Sequence, residues 1–255
     1  MLPRPFVHFE GLQKRYGRGP LVLDALDLSV LEGEFVSLIG PSGCGKSTLL
    51  KLLAGLSPVT SGDLVIDGMK PVDAREELFY VFQEANLLPW SRVLENVELP
   101  LRIRGDARDR RRERAREMIE LVGLKEAERR FPWQLSGGMR MRVSIARALS
   151  MKPKILLLDE PFGALDEMTR DRLNEDLLEI RERDPFTAFF VTHSVAEAVF
   201  LSTRIVVLSA NPGRIATIIK VPFPFPRKAE LRETPEYLEV LAGATHALRA
   251  VINES

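Results

Sequence analysis

Gly40-Pro41-Ser42-Gly43-Cys44-Gly45-Lys46-Ser47-Thr48 decides the fold of this chain. The stretch fits G-x-x-x-x-G-K-[ST], a loop whose backbone N–H groups cradle phosphate. Its neighbours come in the order such a loop needs. Phe35-Val36-Ser37-Leu38-Ile39, before it, is a short β-rich run. Thr48-Leu49-Leu50-Lys51-Leu52-Leu53-Ala54, after it, reads as a helix, with Gly55 as its stop. Glycines let the backbone curl until several N–H groups converge on one anion, and the helix N-terminus adds partial positive charge. Gly40, Pro41, Ser42, Gly43, Cys44, Gly45, Lys46, Ser47 and Thr48 are therefore expected to hold the phosphates of ATP. Lys46 is placed to reach the β- and γ-phosphates and Ser47 to ligate Mg²⁺. Cys44, at a variable position of the motif, reads as a small filler.

A second chemical signal is Ile155-Leu156-Leu157-Leu158-Asp159-Glu160, a buried strand ending in two acids. In an open α/β sheet, ligands gather at the carboxyl ends of strands. Asp159 is expected in the Mg²⁺ shell, directly or through water. Glu160, one residue on, is expected to hold and polarise the attacking water, help worth about 10²–10⁴ in rate.

Working outward, Phe6 to Tyr16 and Leu21 to Val30 read as extended stretches joined by a Gly17-Arg18-Gly19-Pro20 turn. Further strands are expected at Asp63–Gly68, Leu78–Gln83, Lys154–Asp159, Ala188–Thr192 and Arg204–Leu208. Strands alternating with helices imply an α/β fold with a mainly parallel sheet. From about Val93 to Leu149 the chain reads as mostly helical, an inserted lobe. Its charges, such as Arg114 and Glu117, alternate in sign as on a solvated helix face. Val221-Pro222-Phe223-Pro224-Phe225-Pro226 forms neither helix nor central strand. It reads as a rigid connector into a last helix, Pro235 to Val251.

Bulk composition is that of an ordinary globular protein. Hydrophobic residues make up 45% of the 255, and Lys+Arg equals Asp+Glu at 36 each. The balanced charge predicts no nucleic-acid partner. Cys44 is the only cysteine, so an internal disulfide is impossible. No apolar run approaches the roughly 18–20 residues that span a bilayer. The N-terminal residues lack a signal-peptide core. A cytoplasmic location is expected, with any membrane role exercised through a partner.

Leu135-Ser136-Gly137-Gly138-Met139 opens another helix, a second anion-binding terminus. With it, the chain resembles the ATPase subunits of ATP-binding cassette (ABC) transporters over nearly its whole length. Met139 departs from the glutamine usual in that signature. The resemblance implies a P-loop NTPase (ABC ATPase) core with a mainly parallel sheet, an N-terminal antiparallel β region and an inserted helical lobe. It implies one domain over residues 6–240, with core 6–86 and 151–220 and lobe 87–150, then the connector and C-terminal helix in 221–255. Tyr16 matches the aromatic that stacks on adenine; a plain surface aromatic is the other reading. Gln83 matches the glutamine that senses Mg²⁺ and water, Ala164-Leu165-Asp166 the loop crossing between subunits, and His193 the histidine on the γ-phosphate. The family implies a head-to-tail pair of subunits. Each nucleotide would lie between one copy's phosphate loop and the other's Ser136, Gly137 and Gly138.

Three stretches resemble the nitrate/sulfonate/taurine group of bacterial importers: Gln83 to Trp90, Asp159 to Asp166, and Ala210-Asn211-Pro212-Gly213-Arg214-Ile215. That resemblance implies an integral membrane permease, an extracytoplasmic solute-binding protein and a place on the cytoplasmic face of the cell membrane. An exporter or lipid-transport ATPase stands as the alternative. Chromosome ATPases of the superfamily carry long coiled coils, for which the span from Gln83 to Leu135 is too short and lacks heptads. A permease loop is expected near Leu87, Leu88, Pro89 and Trp90. Equally, Leu88 and Trp90 could pack inside the lobe.

Overall fold

The computed structural model describes residues 4–163 and 165–253. Ala164, in the expected crossing loop, lies outside the described residues. β1 (Val7–Arg15) and β2 (Leu21–Val30) alternate buried and open positions, as strands with one wet face do. They pair antiparallel. β3 (Phe35–Ile39) is buried at every residue and leaves this sheet. α1 (Lys46–Leu53) follows, and β4 (Ser61–Ile66) then returns to the free edge of β1. The small sheet thus has the order β2-β1-β4.

The larger sheet has six strands. β5 (Leu78–Val81), β6 (Ile155–Asp159), β7 (Thr187–Val191), β3 and β8 (Arg204–Leu208) run parallel, and β9 (Ile215–Lys220) closes the edge antiparallel to β8. Both faces of the central parallel strands are covered, so β3, β6, β7 and β8 are nearly continuous apolar runs. Val36, Leu38, Leu157 and Phe189 face the small sheet and α1. Phe35, Ile39, Leu156, Leu158 and Phe190 face the helices.

Two expectations are adjusted. The strand expected to reach Gln83 ends at Val81. β9 was not anticipated; its exposed middle residues, Ala216 to Ile218, carry no alternating signal.

The helical lobe consists of α2 (Val93–Arg104), α3 (Arg108–Leu121) and α4 (Gly137–Ser150). Arg114 and Glu117 pair along α3 at 3.2 Å. Arg111 and Arg112 instead reach across to the buried Glu98 of α2, at 3.4 and 3.8 Å. Such a carboxylate needs its partners, because an unpaired buried charge is costly. α5 (Glu167–Arg183), α6 (Val195–Leu201) and α7 (Pro235–Asn253) complete the layer. Arg227 ties the proline-rich connector down by donating to the carbonyls of Val199, Phe200 and Ser202 at the end of α6, and to Phe223 O. Among the described residues no helix is long and apolar enough to cross a membrane.

Candidate nucleotide site

β7 pairs with both β3 and β6, so three strand ends lie side by side. Parallel strands deliver their carboxyl ends to one edge of a sheet. The segments after Ile39, Asp159 and Val191 therefore meet there.

Gly45 caps α1 with φ +98°, and a Cβ on it would lie 2.5 Å from Leu23 Cδ2. Only glycine satisfies both the backbone angle and the contact. Lys46 follows, only 5% exposed. Its Nζ donates to Gly40 O and Pro41 O, each at 2.9 Å, and lies 3.7 Å from Cys44 Sγ. The ammonium is thus held across its own loop. The Cys44 thiol is buried, and burial pushes its pKa up, keeping it a neutral filler.

Ser47 Oγ donates to Asp159 Oδ1 at 2.9 Å, and Tyr80 OH donates to Asp159 Oδ2 at 2.7 Å. Burial, then the hydrogen bond and charge of Asp159, raise the Tyr80 phenol far above its usual range. Tyr80 therefore stays a donor and fixes the carboxylate's rotation. Ser47 and Asp159 form a compact set of hard oxygen donors. That chemistry suits Mg²⁺, which takes one or two protein oxygens and completes its shell with phosphate and water. Tyr80→Phe removes a hydrogen bond to a carboxylate, worth about 1.5–3 kcal/mol where fully felt. The Mg²⁺ concentration for half-maximal ATPase activity is expected to rise at least about 10-fold, the lower end of that range. A titration of steady-state activity against Mg²⁺ checks this, and an unchanged midpoint removes Tyr80 from the metal's support.

Glu160 Oε1 lies 2.6 Å from His193 Nε2. Glu160 N donates to Val191 O at 3.0 Å, which anchors its backbone at φ +48°. A non-glycine residue in that region costs about 1–3 kcal/mol, and such strain concentrates at functional sites.

The remaining predicted residues stand apart from this cluster. Gln83 is exposed and lines a cleft with Gly137, Arg140, Pro161 and Leu165; it has no hydrogen bond to Ser47 or Asp159. Tyr16 is half exposed, with Lys14 Nζ 4.6 Å from its ring centroid. Ser136 caps α4 by accepting from Met139 N at 3.3 Å. Gly137 and Gly138 back onto Leu165 and Thr169, and no hydrogen bond joins this turn to Gly40–Thr48 among the described residues. Asp166 caps α5 by accepting from Thr169 N at 3.0 Å, which holds its carboxyl below the usual range. Trp90 is 72% exposed and Leu88 half-buried, so of the two readings for Trp90 the packed one fails.

Tyr80 was missed by sequence reasoning. Its only signal was a hydroxyl in an otherwise apolar strand.

Comparison with known proteins agrees with this geometry. Residues 23–163 match the sequence model of the family described as ABC transporter. Over 242 residues the chain is 46% identical to the taurine import ATP-binding protein TauB of Sinorhizobium fredii, covering 93% of this chain and 91% of that one. It is 42% identical to the nitrate import ATP-binding protein NrtD of Synechococcus elongatus over 242 residues, covering 92% and 88%. A dimeric post-hydrolysis structure of the ATP-binding cassette MJ0796, bound to ADP and Pi, matches with TM-score 0.76 at 36% identity, over 86% of this chain and 100% of that one. Fold and sequence agree: the chain belongs to the ABC transporter family, as an ATP-hydrolysing cassette.

Proposed function

We propose that this chain is the Mg-ATP-hydrolysing subunit of a bacterial importer. It would power uptake of a small solute, such as taurine, nitrate or a sulfonate, through a separate membrane permease fed by an extracytoplasmic solute-binding protein. It would work as a peripheral subunit on the cytoplasmic face of the cell membrane. The observation that carries this reading is the pair of resemblances to the taurine and nitrate import subunits, each along about nine-tenths of this chain.

The geometry supports a split site. Lys46, Ser47, Asp159, Glu160 and His193 form one half, and Ser136–Gly138 open a helix elsewhere with no acid in its first turn. A helix terminus of that kind attracts anions. Two chains packed head to tail would bring the second half of each site to the first. Mg²⁺, held by Ser47 and Asp159 with Gln83 nearby, would neutralise phosphate charge. Glu160 would take the proton of the attacking water, and His193 would orient the carboxylate and contact the γ-phosphate. Tyr16 would stack on adenine, and Asp166 would lie where the two chains cross.

Trp90 supports a docking role for the segment before α2. The buried Asn96 fixes that segment, accepting from Leu88 N and donating to the carbonyls of Leu88, Ser91 and Arg92. An exposed aromatic on an ordered loop is a typical interface anchor.

Growth of a deletion strain on single sources of nitrogen and sulfur tests the reading. Loss of growth on taurine, a sulfonate or nitrate alone, restored by the intact chain, is the expected result. Unimpaired growth and solute uptake on all of them would sink the importer reading.

A further inference from the structure

Ala210-Asn211-Pro212-Gly213-Arg214, between β8 and β9, lies directly on the phosphate loop. Gly213 N donates to Val22 O and Asp24 N donates to Gly213 O, both at 2.9 Å, so the turn is stitched to β2. A Cβ on Gly213 would lie 2.1 Å from Cys44 O and 3.0 Å from Leu23 Cδ2, closer to that oxygen than any side chain can come. The next residue locks the contact. Arg214 Nε donates to Asp24 Oδ2 at 3.0 Å, with its Nη2 on the same oxygen. Gln13 Nε2 donates to the other oxygen, Oδ1, at 2.7 Å. Asp24 is only 9% exposed, and both of its oxygens are engaged.

The consequence for the phosphate loop follows from peptide geometry. A trans peptide is planar, and its C=O and N–H point in opposite directions. Gly213 lies against the carbonyl of Cys44, so the N–H of Gly45 points away from Gly213. A side chain on Gly213 would push that oxygen aside and turn the peptide, taking the Gly45 N–H out of its direction. The loop's first residue is seated in the same way: a Cβ on Gly40 would lie 2.5 Å from Leu208 O, at the end of β8.

We propose that Gly213, held by the Arg214–Asp24 pair, is a positioning residue for ATP. It sets the Cys44–Gly45 peptide so that the Gly45 N–H faces the bound phosphates. Arg214 and Asp24 touch no nucleotide; they act through Gly213. The stretch Ala210–Ile215 thereby acquires a task in nucleotide binding. The inference rests on nucleotide binding at Gly40–Thr48 and is independent of what is transported.

ADP binding to the purified full chain, measured by calorimetry, tests it. Gly213→Ala is expected to weaken ADP affinity at least about 10-fold, equivalent to about 1.4 kcal/mol. Arg214→Ala is expected to weaken it severalfold, and Arg214→Lys, which keeps the charge, to recover most of that loss. Melting without nucleotide is expected to fall modestly in Arg214→Ala, because Asp24 loses its charge partner, while the stabilisation by added ADP shrinks by more. If Gly213→Ala does not fold, the two Arg214 variants decide. Wild-type ADP affinity in folded Arg214→Ala overturns the proposal. So does an affinity loss matched by an equal fall in melting temperature without nucleotide. Lys46→Ala in the same series checks the nucleotide site itself, so its failure is distinguishable from failure of the brace.

Discussion

Replacing Glu160 with glutamine lowers ATP turnover at least about 10²-fold while ATP still binds. The substitution keeps size and shape but removes the ability to accept a proton. The side chain stays where the backbone holds it, because Glu160 N remains bonded to Val191 O at the end of β7. An amide can still hydrogen-bond His193 Nε2, so the pair keeps its place without its chemistry. If the site is split between two chains as proposed, blocked cleavage leaves nucleotide between the half-sites and the two chains together. Phosphate release measures the first effect, and light scattering with ATP measures the second. Turnover close to that of the unmodified chain would remove Glu160 from the base role. A chain that remains monomeric with ATP would count against the head-to-tail arrangement. If Glu160 and His193 act as a unit, the double variant should lose little more than the worse single variant.

The parts of this site that were legible in the sequence are those built from neighbouring residues. Gly45 and Lys46 are adjacent, and a left-handed glycine before a helix needs no distant partner to be recognised. Asp159 and Glu160 announce themselves as the end of an apolar run. Pairings made by the sheet were not legible. Tyr80 meets Asp159 only because β5 and β6 run side by side, across a separation of 79 residues. Arg214 meets Asp24 across 190 residues, at the crossing of a hairpin with a different sheet. The β9 strand escaped notice because an edge strand with exposed Ala216, Thr217 and Ile218 needs no alternation to be stable. The proposed second half of the nucleotide site was legible as an anion-binding helix start, but its pairing with the phosphate loop only through family resemblance. Ser136–Gly138 form a well-capped helix start in one chain, and nothing in that chain turns them toward the phosphate loop.

Lys46→Ala abolishes measurable ATP turnover and weakens nucleotide binding at least about 10-fold, because a charge-assisted hydrogen bond is worth about 1.5–3 kcal/mol. An ammonium has three protons to give. Here two go to Gly40 O and Pro41 O, and the sulfur of Cys44 lies within reach of the third. Phosphate oxygens would compete for those same protons, so one group both braces the loop and neutralises its ligand. Alanine removes both functions. The carbonyls of Gly40 and Pro41 lose their donor, and the phosphate charge loses its counterion in a site where Lys46 was almost fully buried. Arginine is not expected to rescue. Its planar fork is wider than a point ammonium and cannot fit between two carbonyls spaced for Nζ. Calorimetry with ADP and a phosphate-release assay, run on Lys46→Ala and Lys46→Arg together, separate lost charge from lost fit. Full activity in Lys46→Ala would mean that the loop binds phosphate through its backbone N–H groups alone, and full activity in Lys46→Arg would mean that charge suffices without the fit.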